Sequence, residues 1–287
     1  MRTPIRLLLS ALALTLPIAA QAQDTLYFSA IPDEDETRLS ERFDKVADYL
    51  TNELGVPVEF VPVKSYPAAV TAFRNDQVQL AWFGGLSGVQ ARMLVPDARA
   101  IAQGDEDQNF VTYFIANTKT GLTESDDFPM AAKGMSFTFG AKTSTSGRLM
   151  PEYHIREETG QAPEDFFGRV GFSGDHSQTL RLVASGAWQV GALNFSVYDQ
   201  AVSDGAPEVE TARIIWKTPP YPDYNWTIRG DVDARWGEGF ADRVQAALIG
   251  MDDPDLLTAF PRSAFIAATN DDYAPIETIG QQLDLLE

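Results

Sequence analysis

Four hydroxyl side chains stand in a row at Thr143, Ser144, Thr145 and Ser146, followed by Gly147 and a helical pattern. A strand-like segment, Ser136–Phe139, leads into them through Gly140. The first backbone N–H groups of a helix have no intrahelical partner and carry a partial positive charge. Hydroxyls beside them add donors, so this junction can cradle a small anion without a cationic side chain. A hydrogen bond to a charged group is worth about 1.5–3 kcal/mol, and three or four would hold a small oxyanion. The same residues also read as an ordinary helix cap.

A second strand-to-helix junction carries His176, within Gly174-Asp175-His176-Ser177. Its imidazole can donate to an anion or change charge near neutral pH, and it equally reads as a capping or solvent-facing residue. His154 falls inside a helical pattern and reads as structural. Asp175, His176 and Ser177 do not form a catalytic triad, because adjacent side chains diverge and no G-x-S-x-G elbow is present. Phosphate-loop and dinucleotide fingerprints are absent. Two histidines and no cysteine leave no multi-histidine or thiolate metal set. The acids at 33–36 and 105–107 lack calcium-loop spacing and read as solvated loop charges. Aromatic residues mark other strand ends: Tyr66, Trp82 and Phe83 before Gly84-Gly85, Phe110, and Tyr221 and Tyr224 before Trp226. Each reads as core taken singly; together they would wall a cleft.

The elements that must position these groups alternate. Strands are expected at 25–30, 58–62 and 79–83, with helices at 37–54, after Tyr66-Pro67, and from Gly85 to Val95. The 37–54 helix puts Leu39, Phe43, Val46, Ala47, Leu50 and Leu54 on one face, and Gly55 closes it. Strands at 98–103 and 110–117 follow. A second alternation begins at Gly134: strands at 136–139, 169–172 and 190–193, helices at 147–158, 177–185 and 196–203, then a strand at 212–217. The tail is helical around 240–250 and 255–260. Such alternation implies parallel sheets covered by helices. The second run sits inside the first, so the expectation is an α/β protein of two lobes. Residues 23–113 and 216–287 form lobe one and 114–215 lobe two. Two crossover strands containing Phe114 and Ile215 join them, with a ligand cleft between. A single continuous sheet is the alternative.

The chain has 287 residues with 44% hydrophobic and 22% charged content, enough for two cores and too apolar for disorder. A net charge of −19 argues against nucleic acid or an anionic membrane as partner. Residues 1–22 read as a secretory signal peptide: Arg2 and Arg6, an apolar run from Leu7 to Ile18, then Ala20-Gln21-Ala22 as a cleavage site. The run is too short to span a bilayer, which needs about 20 residues. The exported product is expected in a bacterial periplasm.

The sequence resembles the phosphonate-binding (PhnD-type) family of periplasmic solute-binding proteins, including its phosphite-binding and selenate-binding members. The string Ser144-Thr145-Ser146-Gly147-x-Leu149-x-Pro151 is similar to the family's oxyanion-binding helix start. In order along the chain, Ser65–Phe73, Gln79–Gly85, Gly174–His176 and Ile215–Pro219 match further family segments. The resemblance implies a type II periplasmic binding protein fold and a role as the binding component of an ABC importer for a small tetrahedral oxyanion: phosphite, a small phosphonate such as methylphosphonate, or a selenate-like ion. It implies no cofactor, no catalysis, a monomer, and an inner-membrane ABC permease with its ATPase as partners. Ser144, Thr145 and Ser146 would hold the oxyanion, with His176 opposite and Tyr66 adding a phenol, while Trp82, Phe83 and Phe110 would line the site. Where aminophosphonate-binding members carry two carboxylates, this chain carries Ser196 and Tyr224, which implies a neutral pocket for a ligand without a charged tail; Asp223 stands close to the second of these places. Segments 191–194 and 218–226 most resemble selenate-binding members. Presentation of the same ligand to a membrane receptor and an exported hydrolase are the other readings.

Overall fold

The computed structural model describes residues 24–34, 36–257 and 260–286. The expected signal peptide and the Leu39 side chain lie outside the described residues. The strands are β1 (Leu26–Ala30), β2 (Val58–Phe60), β3 (Leu80–Phe83), β4 (Arg99–Gly104), β5 (Thr112–Asn117), β6 (Ser136–Phe139), β7 (Arg169–Phe172), β8 (Val190–Asn194), β9 (Ala212–Lys217), β10 (Asn225–Ile228) and β11 (Phe265–Ala267). They form a six-stranded sheet, β11-β4-β10-β3-β1-β2, and a five-stranded sheet, β7-β6-β8-β5-β9. In the first, β1 runs parallel to β2 and β3, and β10 is inserted antiparallel between β3 and β4. In the second, β6 is parallel to β7 and β8, and β5 lies antiparallel to β8 and β9. Two sheets replace the single-sheet alternative.

Helices cover the sheets: α1 (Glu36–Leu54), α2 (Tyr66–Arg74), α3 (Gly85–Leu94), α4 (Met150–Thr159), α5 (Pro163–Phe166), α6 (His176–Ala184), α7 (Phe195–Ser203), α8 (Glu208–Thr211), α9 (Val232–Trp236), α10 (Phe240–Ile249), α11 (Pro254–Leu257) and α12 (Ala274–Gln282). Phe43, Val46, Ala47 and Leu50 of α1 are buried on one face, as their 3.6-residue spacing requires. One core gathers Phe28, Phe73, Leu80, Phe83 and Trp226 about the first sheet. Phe114, Phe137, Phe139 and Ile215 fill one face of the second, and Ile115, Leu180, Val183 and Leu193 the other.

Three differences from expectation stand out. Strands β10 and β11 and helix α12 were not read from sequence. The strands expected to cross between lobes, β5 and β9, belong to the five-stranded sheet along their whole length. The crossings lie just outside these strands, before β5 and after β9, where Phe110 and Tyr221 exchange backbone hydrogen bonds (2.9 and 3.0 Å) in an isolated bridge. Finally, Asp107 is no solvated loop charge. It is fully buried, accepts from Gly104 N–H at 2.9 Å, and takes a two-pronged contact from Arg262 at 2.9 and 2.6 Å. Arg262 in turn lies over the rings of Phe110 and Tyr224. This ion pair therefore braces the crossing.

Removing one partner of a buried pair strands the other charge. Asp107→Ala is expected to lower the free energy of unfolding in urea by about 3–5 kcal/mol.

Candidate functional site

The hydroxyl run straddles the helix start: Thr143 and Ser144 precede it, and Thr145 and Ser146 lie inside it. Residues Thr145–Leu149 form a π-helical turn that passes directly into α4. Ser144 is the cap: its Oγ accepts from Gly147 N–H at 2.9 Å, and its carbonyl accepts from Leu149 N–H at 3.0 Å. That five-residue spacing means the first amide used by the helix belongs to Leu149. The amides of Thr145, Ser146 and Arg148 are left without a helical partner, one more than an α-turn would leave. Two glycines make the turn possible. A Cβ on Gly147 would stand 3.1 Å from both Gly140 Cα and His176 Cε1.

Ser144, Thr145 and Ser146 are all buried, and neighbours from both sheets converge on them. Thr145 Oγ1 accepts from Leu86 N–H of α3 at 3.0 Å, which leaves its own hydrogen to donate elsewhere. Ser146 Oγ lies 3.5 Å from His176 Nε2. His176 Nδ1 accepts from Asn194 N–H at 3.2 Å, so the ring proton sits on Nε2. Burial pushes the imidazole down to about 3. His176 thus faces the turn as a neutral donor and does not change charge near pH 7.

Two buried polar atoms at this place have no hydrogen-bond partner: Tyr66 Oη and Asp223 Oδ2. Tyr66, the first residue of α2, is held protonated mainly by burial, then by the charge of Asp33; the adjacent Ser144 side chain acts the other way. Asp223 lies in the returning crossing. Its Oδ1 accepts from Gly85 N–H at 2.8 Å, and Gly84 lets it approach, since a Cβ there would meet Asp223 Oδ1 and Thr145 Oγ1 at 3.2 Å. Burial raises the Asp223 carboxyl to about 7, and the Thr145 hydroxyl, the Gly85 amide and the Ser146 hydroxyl only partly offset this. The sequence offers Asp223 as a residue that restores a carboxylate near Tyr224; the structure instead sets it against Gly84 and Gly85, which leave room for its approach.

The remaining expected residues divide. Tyr224 stacks on Trp82 with centroids 5.4 Å apart and lies 5.4 Å from Phe110, so these three rings form one wall. Phe83 is not part of it and packs edge-on against Phe73 in the core. Ser196 gives both its N–H and its hydroxyl to Asn194 Oδ1, at 2.7 and 2.8 Å. The surroundings are not neutral. Asp33, expected in solvent, is buried and accepts from Tyr224 Oη at 2.6 Å; Tyr224 Oη accepts from Asn194 Nδ2 at 3.1 Å. Burial first, then Glu34, raises Asp33 to about 6. Beside this chain of contacts lies a cavity of only about 20 Å³, bordered by Asp33, Asn194, Ser196 and Tyr224. No group of three or more potential metal ligands occurs among the described residues.

The cap and the donor can be told apart by stability. Ser144→Ala should lower the free energy of unfolding by about 1 kcal/mol through loss of the cap. Ser146→Ala, which removes no intramolecular bond shorter than 3.5 Å, should leave it unchanged in the same urea titration.

Comparison with known proteins places the chain. Residues 28–273 match the family model described as the periplasmic substrate-binding protein of a phosphonate ABC transporter. The chain is 39% identical over 267 residues to "Probable ABC transporter phosphite binding protein PhnD1" of Prochlorococcus marinus (strain MIT 9301), covering 90% of each. It is 24% identical to the phosphonates-binding periplasmic protein of Escherichia coli (strain K12), covering 71% of this chain and 60% of that one. The solved structure of PhnD1 from Prochlorococcus marinus in complex with methylphosphonate superposes with a TM-score of 0.86 at 38% identity, covering 91% of this chain and 98% of that chain. A binding protein component of an ABC phosphonate transporter from Pseudomonas aeruginosa, 20% identical, shares the fold with a TM-score of 0.79, covering 91% of this chain and 88% of that chain. These relatives are binding components and not enzymes, which sets aside the exported hydrolase. The chain has the two-lobed type II periplasmic binding fold and belongs to the family of periplasmic substrate-binding proteins of phosphonate ABC transporters.

Proposed function

We propose that this protein captures phosphite or methylphosphonate as an anion that shares one proton with Asp223, and delivers it to an inner-membrane ABC permease and its ATPase. The observation that carries this reading is the pair of unpartnered buried atoms, Asp223 Oδ2 and Tyr66 Oη, beside the Thr145–Leu149 turn. Buried polar atoms are almost always hydrogen-bonded, so an occupant is expected to complete them. The other groups at the turn can all donate: the free amides, the hydroxyls of Thr145 and Ser146, His176 Nε2 and the Tyr66 phenol. Asp223, when ionised, is the one group there that can only accept. An occupant must therefore offer several acceptor oxygens and one O–H, or meet a protonated Asp223.

This sorts the candidates. Selenate and sulfate carry no proton at neutral pH, so each needs Asp223 already protonated, and each sets a fourth oxygen against the Trp82, Phe110 and Tyr224 rings. Selenate thus falls outside the proposed ligand set, despite the sequence resemblance. Phosphate has a proton but also a fourth oxygen, which the Trp82, Phe110 and Tyr224 rings cannot satisfy. A P–H or P–CH3 group needs no partner there. Aminophosphonates are disfavoured, because the roughly 20 Å³ beside Ser196 and Tyr224 has room for about one water and not for an ammonium tail. The relatives agree in kind, since one is named as phosphite-binding and its structure holds methylphosphonate.

The lobes are taken as 23–113 with 216–287, and 114–215, turning about the Phe110–Tyr221 bridge. Residues 1–22 are taken as a signal peptide removed on export, and the mature chain as a monomer in the periplasm.

Titration calorimetry with phosphite, methylphosphonate, 2-aminoethylphosphonate, phosphate, sulfate and selenate tests the reading. One-to-one binding to phosphite or methylphosphonate is expected, with selenate, sulfate and the aminophosphonate weaker by about 100-fold or more, equivalent to about 2.7 kcal/mol. Ser146→Ala should weaken methylphosphonate binding about 10- to 100-fold. Tightest binding to selenate or to 2-aminoethylphosphonate would contradict it.

A further inference from the structure

Outside Tyr66 the cleft widens into a second cavity of about 580 Å³. Tyr66 and Gly140 border it, and both also touch the deep site: Tyr66 beside Ser144, Gly140 against Gly147. The cavity is therefore the antechamber of that site. Three cations line it. Lys64 comes from the segment before α2, Lys142 from the loop after β6, and Arg181 from α6, so both sheets contribute.

With three cations against two carboxylates, the lining is positive by one charge. Two carboxylates border the same space, Glu34 and Asp175. Glu34 is paired with Arg42 at 3.2 Å, and Asp175 caps α6 by accepting from Gln178 N–H at 2.6 Å. Arg181 is held by a neutral group, Gln178 Oε1, at 2.9 and 3.1 Å. The Lys142 ammonium stands 5.5 Å over the ring of Phe172. This cluster occurs in a chain of net charge −19, whose acidic surface repels the ligand class argued above. The screening length at physiological salt is about 8 Å, so an ion at the cleft mouth senses the antechamber more than the distant acids.

We propose that Lys64, Lys142 and Arg181 form an encounter subsite that draws tetrahedral oxyanions into the open cleft before they pass Tyr66 and the lobes close. The subsite sets the association rate and not the stability of the final complex. Clefts lined by one sign of charge raise association rates by about 10- to 1,000-fold. The inference rests on the function proposed above, because it needs an anionic ligand.

The test is stopped-flow fluorescence with methylphosphonate, using the Trp82–Tyr224 contact as reporter. The triple variant Lys64→Gln, Lys142→Gln, Arg181→Gln is compared with Lys119→Gln, Lys133→Gln, Arg213→Gln, which removes equal charge at the opposite end of the five-stranded sheet. At an ionic strength of about 0.01 M, where charges act over about 30 Å, the first triple should lower the association rate constant about tenfold or more and the second by much less. Dissociation should be unchanged in both, and the difference should vanish near about 1 M salt. An unchanged association rate, an equal fall in both triples, or an effect confined to dissociation would overturn the encounter subsite while leaving the deep site intact. Failure of the unaltered chain to bind methylphosphonate or phosphite would overturn both proposals.

Discussion

Asp223 accepts from the Gly85 amide on Oδ1, while its buried Oδ2 has no hydrogen-bond partner. Leaving a buried acceptor unmade costs about 1–3 kcal/mol, and more for a charge. The arrangement persists because the structure around it is organised to supply what is missing only when a ligand arrives. Gly84 and Gly85 clear the approach, Thr145 and Ser146 stand opposite, and burial raises the carboxyl to about 7. Within roughly a unit of neutrality the group can either hold a proton or accept one. A turn made only of donors would favour the most highly charged anion. One accepting oxygen among them selects for a proton.

The two halves meet through apolar packing, with Ala141, Leu149 and Met150 in the core about the first sheet, and through a few hydrogen bonds. Leu86 N–H meets Thr145 Oγ1, His176 N–H meets the Asp33 carbonyl at 3.1 Å, and Asn194 Nδ2 meets Tyr224 Oη. Hydrogen bonds of this type contribute about 0.5–1.5 kcal/mol each, and opening returns their members to water. An occupant that touches both halves adds several charge-assisted contacts to this set and favours the closed form further. The Phe110–Tyr221 bridge, braced by Asp107 and Arg262, carries the two crossings and keeps the aromatic wall in place as the halves move.

Periodicity in the chain announced most of the strands and helices, and the hydroxyl run announced its helix start. What stayed hidden depends on distance along the chain. Strand β10 is four residues long and follows a proline-rich stretch, so it has too little pattern of its own; only its place between β3 and β4 makes it a strand. Asp33 and Asp107 sit in acidic loops and look solvated, because nothing nearby shows that Tyr224 and Arg262 come back to them from 191 and 155 residues away. The donors of the site belong to local motifs and could be read. Its acceptor and its brace are tertiary and could not. The absence of carboxylates at Ser196 and Tyr224 pointed toward a neutral pocket, yet Asp33 stands just behind the Tyr224 hydroxyl, which no local pattern announced.

The central claim is that Asp223 and the bound anion share a single proton. Calorimetry of phosphite binding in buffers of different ionisation enthalpy, above pH 8, counts the protons taken up as the complex forms. The account predicts uptake of about one proton per ligand, lost in Asp223→Asn, and affinity falling about tenfold for each further pH unit. Binding that takes up no proton, with affinity level from pH 6 to 9, would contradict it.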